Sequence, residues 1–202
     1  MNNTKRGFTL IELLVVIAIL AVLAVAVVLI LNPAELLKEG RDSTRLSDMA
    51  SLQSAMNLYY TDVLGTNPSN WPAASTYCTA AVSSSAGWAN WPTCANVTST
   101  ASVTGAGWIP INFGLLSTGA PLPKEPVDPN NGVNSCEGAG GVTNATCAYA
   151  FIASSTPGIY KLEALMESSK FGNGGASDVV NKDSGVSSST YEIGSNLTFV
   201  NY

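Results

Sequence analysis

The sequence predicts an α+β chain in which one long N-terminal helix, transmembrane and then amphipathic, packs on a small antiparallel β-sheet. Three observations carry this. Leu13 to Leu31 are 19 consecutive apolar residues. Leu46, Met49, Leu52, Met56, Tyr59 and Val63 then recur three or four apart, the period of one helix face. Further on, Tyr160, Leu162, Ala164 and Met166 alternate with Lys161, Glu163, Leu165 and Glu167, the period of a strand with one buried face.

The apolar run comes first. As a helix it would be about 28 Å long, close to the hydrocarbon thickness of a bilayer. It holds no glycine or proline, and in lipid every backbone group must pair internally, so a helix is the form left to it. Lys5 and Arg6 precede it, and the positive-inside tendency keeps them in the cytoplasm with the rest of the chain outside. The run ends at Asn32 and Pro33 without a small-residue cleavage site, so removal after the span is not expected. Pro33 lacks an N–H and crowds the carbonyl of Leu29, which predicts a kink there or a helix restarting with Pro33 in its first turn.

Between Ala34 and Asp48 the charges Glu35, Lys38, Glu39, Arg41, Asp42, Arg45 and Asp48 nearly cancel. They read as a solvated helix face with pairs three or four apart, the alternative being contacts between subunits. Helix signals stop at "LGTNPSNWP". From there to about residue 120 the chain is rich in Ser, Thr, Ala and Gly and reads as irregular and surface-lying. Trp71, Trp88, Trp91 and Trp108 are expected to pin it onto the core, with sugar binding the alternative. "AYAFIAS", a turn at "STPG" and "IYKLEALME" form a hairpin, and "TYEIG" and "LTFVNY" read as further short strands.

Composition limits function. The 202 residues leave room for one domain beside the span, and a net charge of −5 with only 11% charged residues argues against nucleic acid. With no histidine the chain lacks the commonest general base and metal ligand. Cys78, Cys94, Cys136 and Cys147 show no CxxC spacing, and outside the cytoplasm disulfides are the natural reading. Three pairings exist; proximity favours Cys78–Cys94 and Cys136–Cys147. Asp178, Asn181 and Asp183 crowd oxygen ligands onto one loop, as calcium requires, and are equally ordinary turn formers. Glu125, Asp128 and Glu163 are expected on solvated faces and not in an acid–base pair. Asn96-Val97-Thr98, Asn144-Ala145-Thr146 and Asn196-Leu197-Thr198 fit the N-glycosylation pattern, a match frequent by chance in so Asn- and Thr-rich a chain.

"RGFTLIELLVVIAIL" resembles the class III signal of type IV prepilins and type II secretion pseudopilins: a short basic leader ending in Gly7, the aromatic Phe8, Glu12 at the fifth place after the leader, and an apolar helix. "LQSAMNLYYTD" and "LPKEPVDPNNG" look like the helix end and following loop of major pseudopilins. "YKLEALMES" and "YEIGSN" look like pilin sheet segments, while residues of about 75–115 carry no resemblance.

The resemblance implies a pilin fold. Residues 1–7 would be the leader, 8–31 the transmembrane and assembly helix, 32–64 its amphipathic half, and 65–202 an extracytoplasmic domain, loop-rich over about 66–147 and sheet over about 148–202. It implies cleavage between Gly7 and Phe8 by a prepilin peptidase that also methylates Phe8, taking the side-chain charge from −5 to −7. It implies insertion in the inner membrane, then assembly by inner-membrane machinery into a helical filament of identical copies, as an extracellular pilus or a periplasmic pseudopilus. It makes Glu12 the assembly residue, paired with its own Phe8 amine or with that of an adjacent subunit, the family's use being the second. A proline near the span marks a loosened helix in related filaments, though usually a few residues before the place of Pro33. Calcium in the loop of Asp178, Asn181 and Asp183 is also a feature of major pseudopilins. No catalytic residue or required cofactor is implied. A single-span surface protein with a binding or enzymatic domain is the alternative outside this class.

Overall fold

The apolar run folds as helix α1, Leu10–Leu31, and α2, Pro33–Tyr59, begins two residues later. The structure is a computed structural model and describes residues 7–81, 94–133, 136–138 and 142–198, without the side chains of 29, 137, 138 and 142–145. Asn32 separates the helices in the left-handed region at φ 39°, a conformation its short polar side chain tolerates. Its carbonyl accepts the amides of Glu35 and Leu36, and Pro33 takes the first helical position, where a missing N–H does no harm. The helix therefore stops and restarts. Residues 1–37 and 38–202 form two units.

The second unit is organised by one face of α2. Met49, Leu52, Ala55, Met56 and Tyr59 are buried, and a π-helical turn over Tyr60–Leu64 adds Val63 and Leu64. These residues share one hydrophobic core with the inward residues of the sheet. Fully burying a large apolar side chain is worth about 1.5–3 kcal/mol, so this face holds the domain together.

The sheet has strands β1 (Ser75–Cys78), β2 (Asn96–Val97), β5 (Tyr149–Ala153), β6 (Tyr160–Leu165) and β7 (Thr190–Gly194) in the order β2-β1-β5-β6-β7. It is antiparallel except where β1 meets β2. A separate hairpin pairs β3 (Cys136–Gly138) with β4 (Val142–Ala145). On the core face Phe151 stands opposite Tyr77 and Leu162, and Leu162 opposite Ile193. The turn joining β5 to β6 requires Gly158: its φ is +82°, and a Cβ there would strike the ring of Tyr60.

Several expectations need correction. β6 is buried on both faces, because Lys161, Glu163 and Leu165 are as enclosed as Leu162. The region read as irregular and surface-lying contributes two sheet strands, β1 and β2, and the buried Trp108, Ile109, Ile111, Phe113 and Leu116. Trp71 and Trp108 do pin it down, their indole N–H groups donating to the carbonyls of Ser154 and Pro126. Trp88 and Trp91 lie outside the described residues. In "LTFVNY", Leu197 and Thr198 form a turn and the remainder lies outside the described residues.

Candidate functional site

At the start of α1 the sequence Thr-Leu-Ile-Glu makes a capping box. Thr9 is the N-cap, its hydroxyl accepting the Glu12 amide at 3.3 Å. The Glu12 side chain turns back, and Oε2 accepts both the amide and the hydroxyl of Thr9, each at 2.8 Å. The box pairs helix-end donors that hydrocarbon could not and holds the Glu12 carboxylate one residue from Phe8. Glu12 is the one charged residue of a 19-residue stretch, Leu10–Val28, long and apolar enough to cross a membrane, and none of that stretch is buried within the protein.

A family model described as the prokaryotic N-terminal methylation motif matches residues 2–28. The chain carries a class III, prepilin-type signal. Nothing among the curated proteins or the solved structures matches the chain. With the α+β architecture, the signal supports the type IV pilin-like family. Phe8, directly after Gly7, is 87% exposed. Lys5 and Arg6 lie outside the described residues. Thr9 was not singled out from the sequence, although the T-x-x-E spacing ahead of an apolar run is a recognisable capping signature.

Two of the α2 charges leave the solvated face expected of them, although they pair three residues apart as expected, while Glu35, Lys38, Glu39, Arg41 and Asp48 stay partly exposed. Asp42 and Arg45 are fully buried. Arg45 donates to both oxygens of Asp128, from Nε at 2.7 Å and Nη2 at 2.8 Å, to Asp42 through Nη1 at 2.8 Å, and to Glu167. Glu167 is also held by Arg41. Asp42 in turn accepts the amides of Glu167 and Ser168 and the Ser168 hydroxyl. Burial opposes the Arg45 charge, but Asp128 and Glu167 outweigh it and raise its pKa. Burial likewise opposes ionisation of Glu167, yet Arg41 and Arg45 hold its pKa below the ordinary value. The cluster ties α2 to the "LPKEPVDPNNG" loop and to the exit of β6.

Glu125, Asp128 and Glu163 are buried too, contrary to the solvated faces expected of them. Lys161 Nζ sits 2.5 Å from both Glu163 Oε1 and Glu192 Oε1. Burial pushes Glu163 up to about 7 against the pull of Lys161. Glu125 has no cation beside it among the described residues. Its Oε2 accepts the Ile109 amide at 3.1 Å, its Oε1 meets no donor among the described residues, and burial pushes it up to about 8. Neither places two carboxyls around an open cleft.

The structure pairs Cys78 with Cys94 and Cys136 with Cys147. The first bond fixes β2 beside β1. The sulfurs of the second lie near Glu167, but disulfide sulfur is not a thiolate ligand, so no metal centre follows.

In the loop of Asp178, Asn181 and Asp183 the carboxylates are engaged by backbone and side-chain donors. Asp178 Oδ1 accepts the amides of Val180 and Asn181, and Oδ2 accepts the Gly174 amide and the Asn181 side chain, which uses all four lone pairs. Asn181 Nδ2 also reaches Asn173 Oδ1. These donors draw the pKa of Asp178 down to about 2. Asp183 accepts the amides of Gly185 and Glu192, each at 2.7 Å, and so occupies a backbone donor of β7, an outer strand of the sheet. The loop residues are turn formers and edge protection.

Proposed function

We propose that the protein is the precursor of a structural subunit of a type IV pilus or pilin-like filament, active by assembly and not by catalysis. In this reading the chain inserts in the inner membrane with its second unit outside. A prepilin peptidase cuts between Gly7 and Phe8 and methylates the new terminus, and inner-membrane machinery then adds the subunit to a filament whose core is built from α1 helices. The observation that carries the reading is Glu12, the lone carboxylate of an otherwise apolar, wholly uncovered helix, held by Thr9 beside the bond to be cut.

The physical logic is one of charge. A carboxylate at the centre of a membrane helix is disfavoured by roughly 2.5–3.5 kcal/mol on insertion scales, less near the interface. In the precursor Phe8 N is a neutral amide; cleavage turns it into an amine. A subunit whose Glu12 meets the amine of a neighbour neutralises both charges, and a misplaced one leaves them unpaired, which favours correct register. Thr9 engages one oxygen of Glu12 and leaves the other for that partner.

A short periplasmic pseudopilus is the second reading, favoured by the major-pseudopilin-like loop that Asp128 fastens to Arg45. Long extracellular filaments, against a secretion defect on deletion, separate the two. The primary test is the mass of the mature N-terminus: a chain beginning at methylated Phe8 is expected, whereas one retaining Met1 to Gly7 would favour a plain membrane anchor.

A further inference from the structure

Of the N-x-Thr matches at Asn96, Asn144 and Asn196, one is presented as an acceptor. Asn96 lies in β2, and its Nδ2 donates to Ser75 Oγ at 2.9 Å, while Thr98 Oγ1 turns away to Thr100. Asn144 lies within β4, paired in a hairpin. Asn196 instead stands in an exposed turn just past β7. Its Oδ1 accepts the Thr198 amide at 3.1 Å and the Thr198 hydroxyl at 2.9 Å. Its Nδ2 makes no hydrogen bond among the described residues.

We propose that Asn196 is a site of N-linked glycosylation, its side-chain nitrogen accepting a sugar from a lipid-linked pyrophosphate donor. An amide nitrogen is a poor nucleophile because its lone pair is delocalised onto oxygen. Two donors on Oδ1 stabilise negative charge there, so Nδ2 can give up a proton to a base of the transferring enzyme. The nitrogen then forms a bond to the anomeric carbon of the sugar. The bond from that carbon to the phosphate oxygen breaks, and the pyrophosphate leaves with the electron pair. Thr198 acts as the positioning residue, since its hydroxyl and amide together set the turn. Asn196 is exposed and lies outside the core, so a glycan there displaces no core residue. The inference requires the domain to lie outside the cytoplasm and rests on that part of the proposed function.

The test is peptide mass spectrometry of the full chain purified from its own host. A glycan mass on the peptide containing Asn196 is expected, absent in Asn196→Gln and Thr198→Val, retained in Thr198→Ser and in Asn96→Gln. An Asn196 peptide at its unmodified mass in the wild-type chain would overturn the inference. The same sample reads the N-terminus. An unmodified Asn196 on a chain beginning at Phe8 defeats the glycan alone, and a modified Asn196 on a chain retaining Met1 defeats the filament reading alone.

Discussion

Glu12 and Arg45 are both charged residues on helices, yet they are handled in opposite ways. Glu12 is held by a residue three positions away and keeps one oxygen free on a helix with no covering of its own. Arg45 is enclosed and bound to Asp42, Asp128 and Glu167, the last two 83 and 122 positions distant. A charge complete within its own chain can only stabilise that chain. One left with spare bonding capacity in an apolar setting favours whatever brings it a partner, and in the proposed function that contrast separates an assembling segment from a displayed one.

Substitutions on each side should break it differently. The largest effect is expected for Glu12→Ala: leader removal continues, while incorporation into filaments falls at least tenfold, read by immunoblot of sheared filaments against the cell fraction. Arg45→Met should do the reverse, leaving processing intact and destabilising the isolated domain by about 3–5 kcal/mol in urea titration, since Asp42 and Asp128 lose their counter-charge and Glu167 keeps only Arg41. Replacing Cys78 and Cys94 together by serine opens the covalent tie between β1 and β2 and should lower stability by about 3 kcal/mol.

Acidity sharpens the contrast further. Glu125 holds its proton in the folded domain up to about pH 8, and its ordinary value is 4.5. The folded state thus binds more protons than the unfolded one between these limits. This contribution is complete below pH 4.5 and declines by roughly 1.4 kcal/mol per pH unit as pH rises toward 8. Glu125→Gln, which has no proton to lose, should flatten the fall in melting temperature over that range. The smallest effect belongs to Thr9→Val, which removes the side-chain half of the cap, worth about 0.5–2 kcal/mol locally. It should slow assembly without abolishing it, as measured by the time course of filament appearance.

How much of this was legible in the sequence follows from the range of the forces. The span, the amphipathic face of α2, the hairpin and the signal around Gly7, Phe8 and Glu12 are local patterns of period or spacing. Even the cap at Thr9 was written there in four residues. The burial of Asp42 and Arg45 was not, because their partners Asp128 and Glu167 are brought to them only by the fold. β1 was missed for a related reason: Ser75–Cys78 is four residues, too short for alternation to declare itself, and it is held by β5 more than 70 positions on. Lys161, Glu163 and Glu192 imitate a solvated face in sequence, and the fold brings them together inside, both carboxyls on one Nζ.

The central claim is that the partner of Glu12 is the new amino terminus of another copy. Filaments grown from a mixture of ¹⁴N- and ¹⁵N-labelled subunits and treated with an apolar carbodiimide would report it by mass spectrometry of the N-terminal peptides. A Phe8–Glu12 link joining one light and one heavy peptide is the expected product. Links confined to peptides of a single isotope would contradict the account.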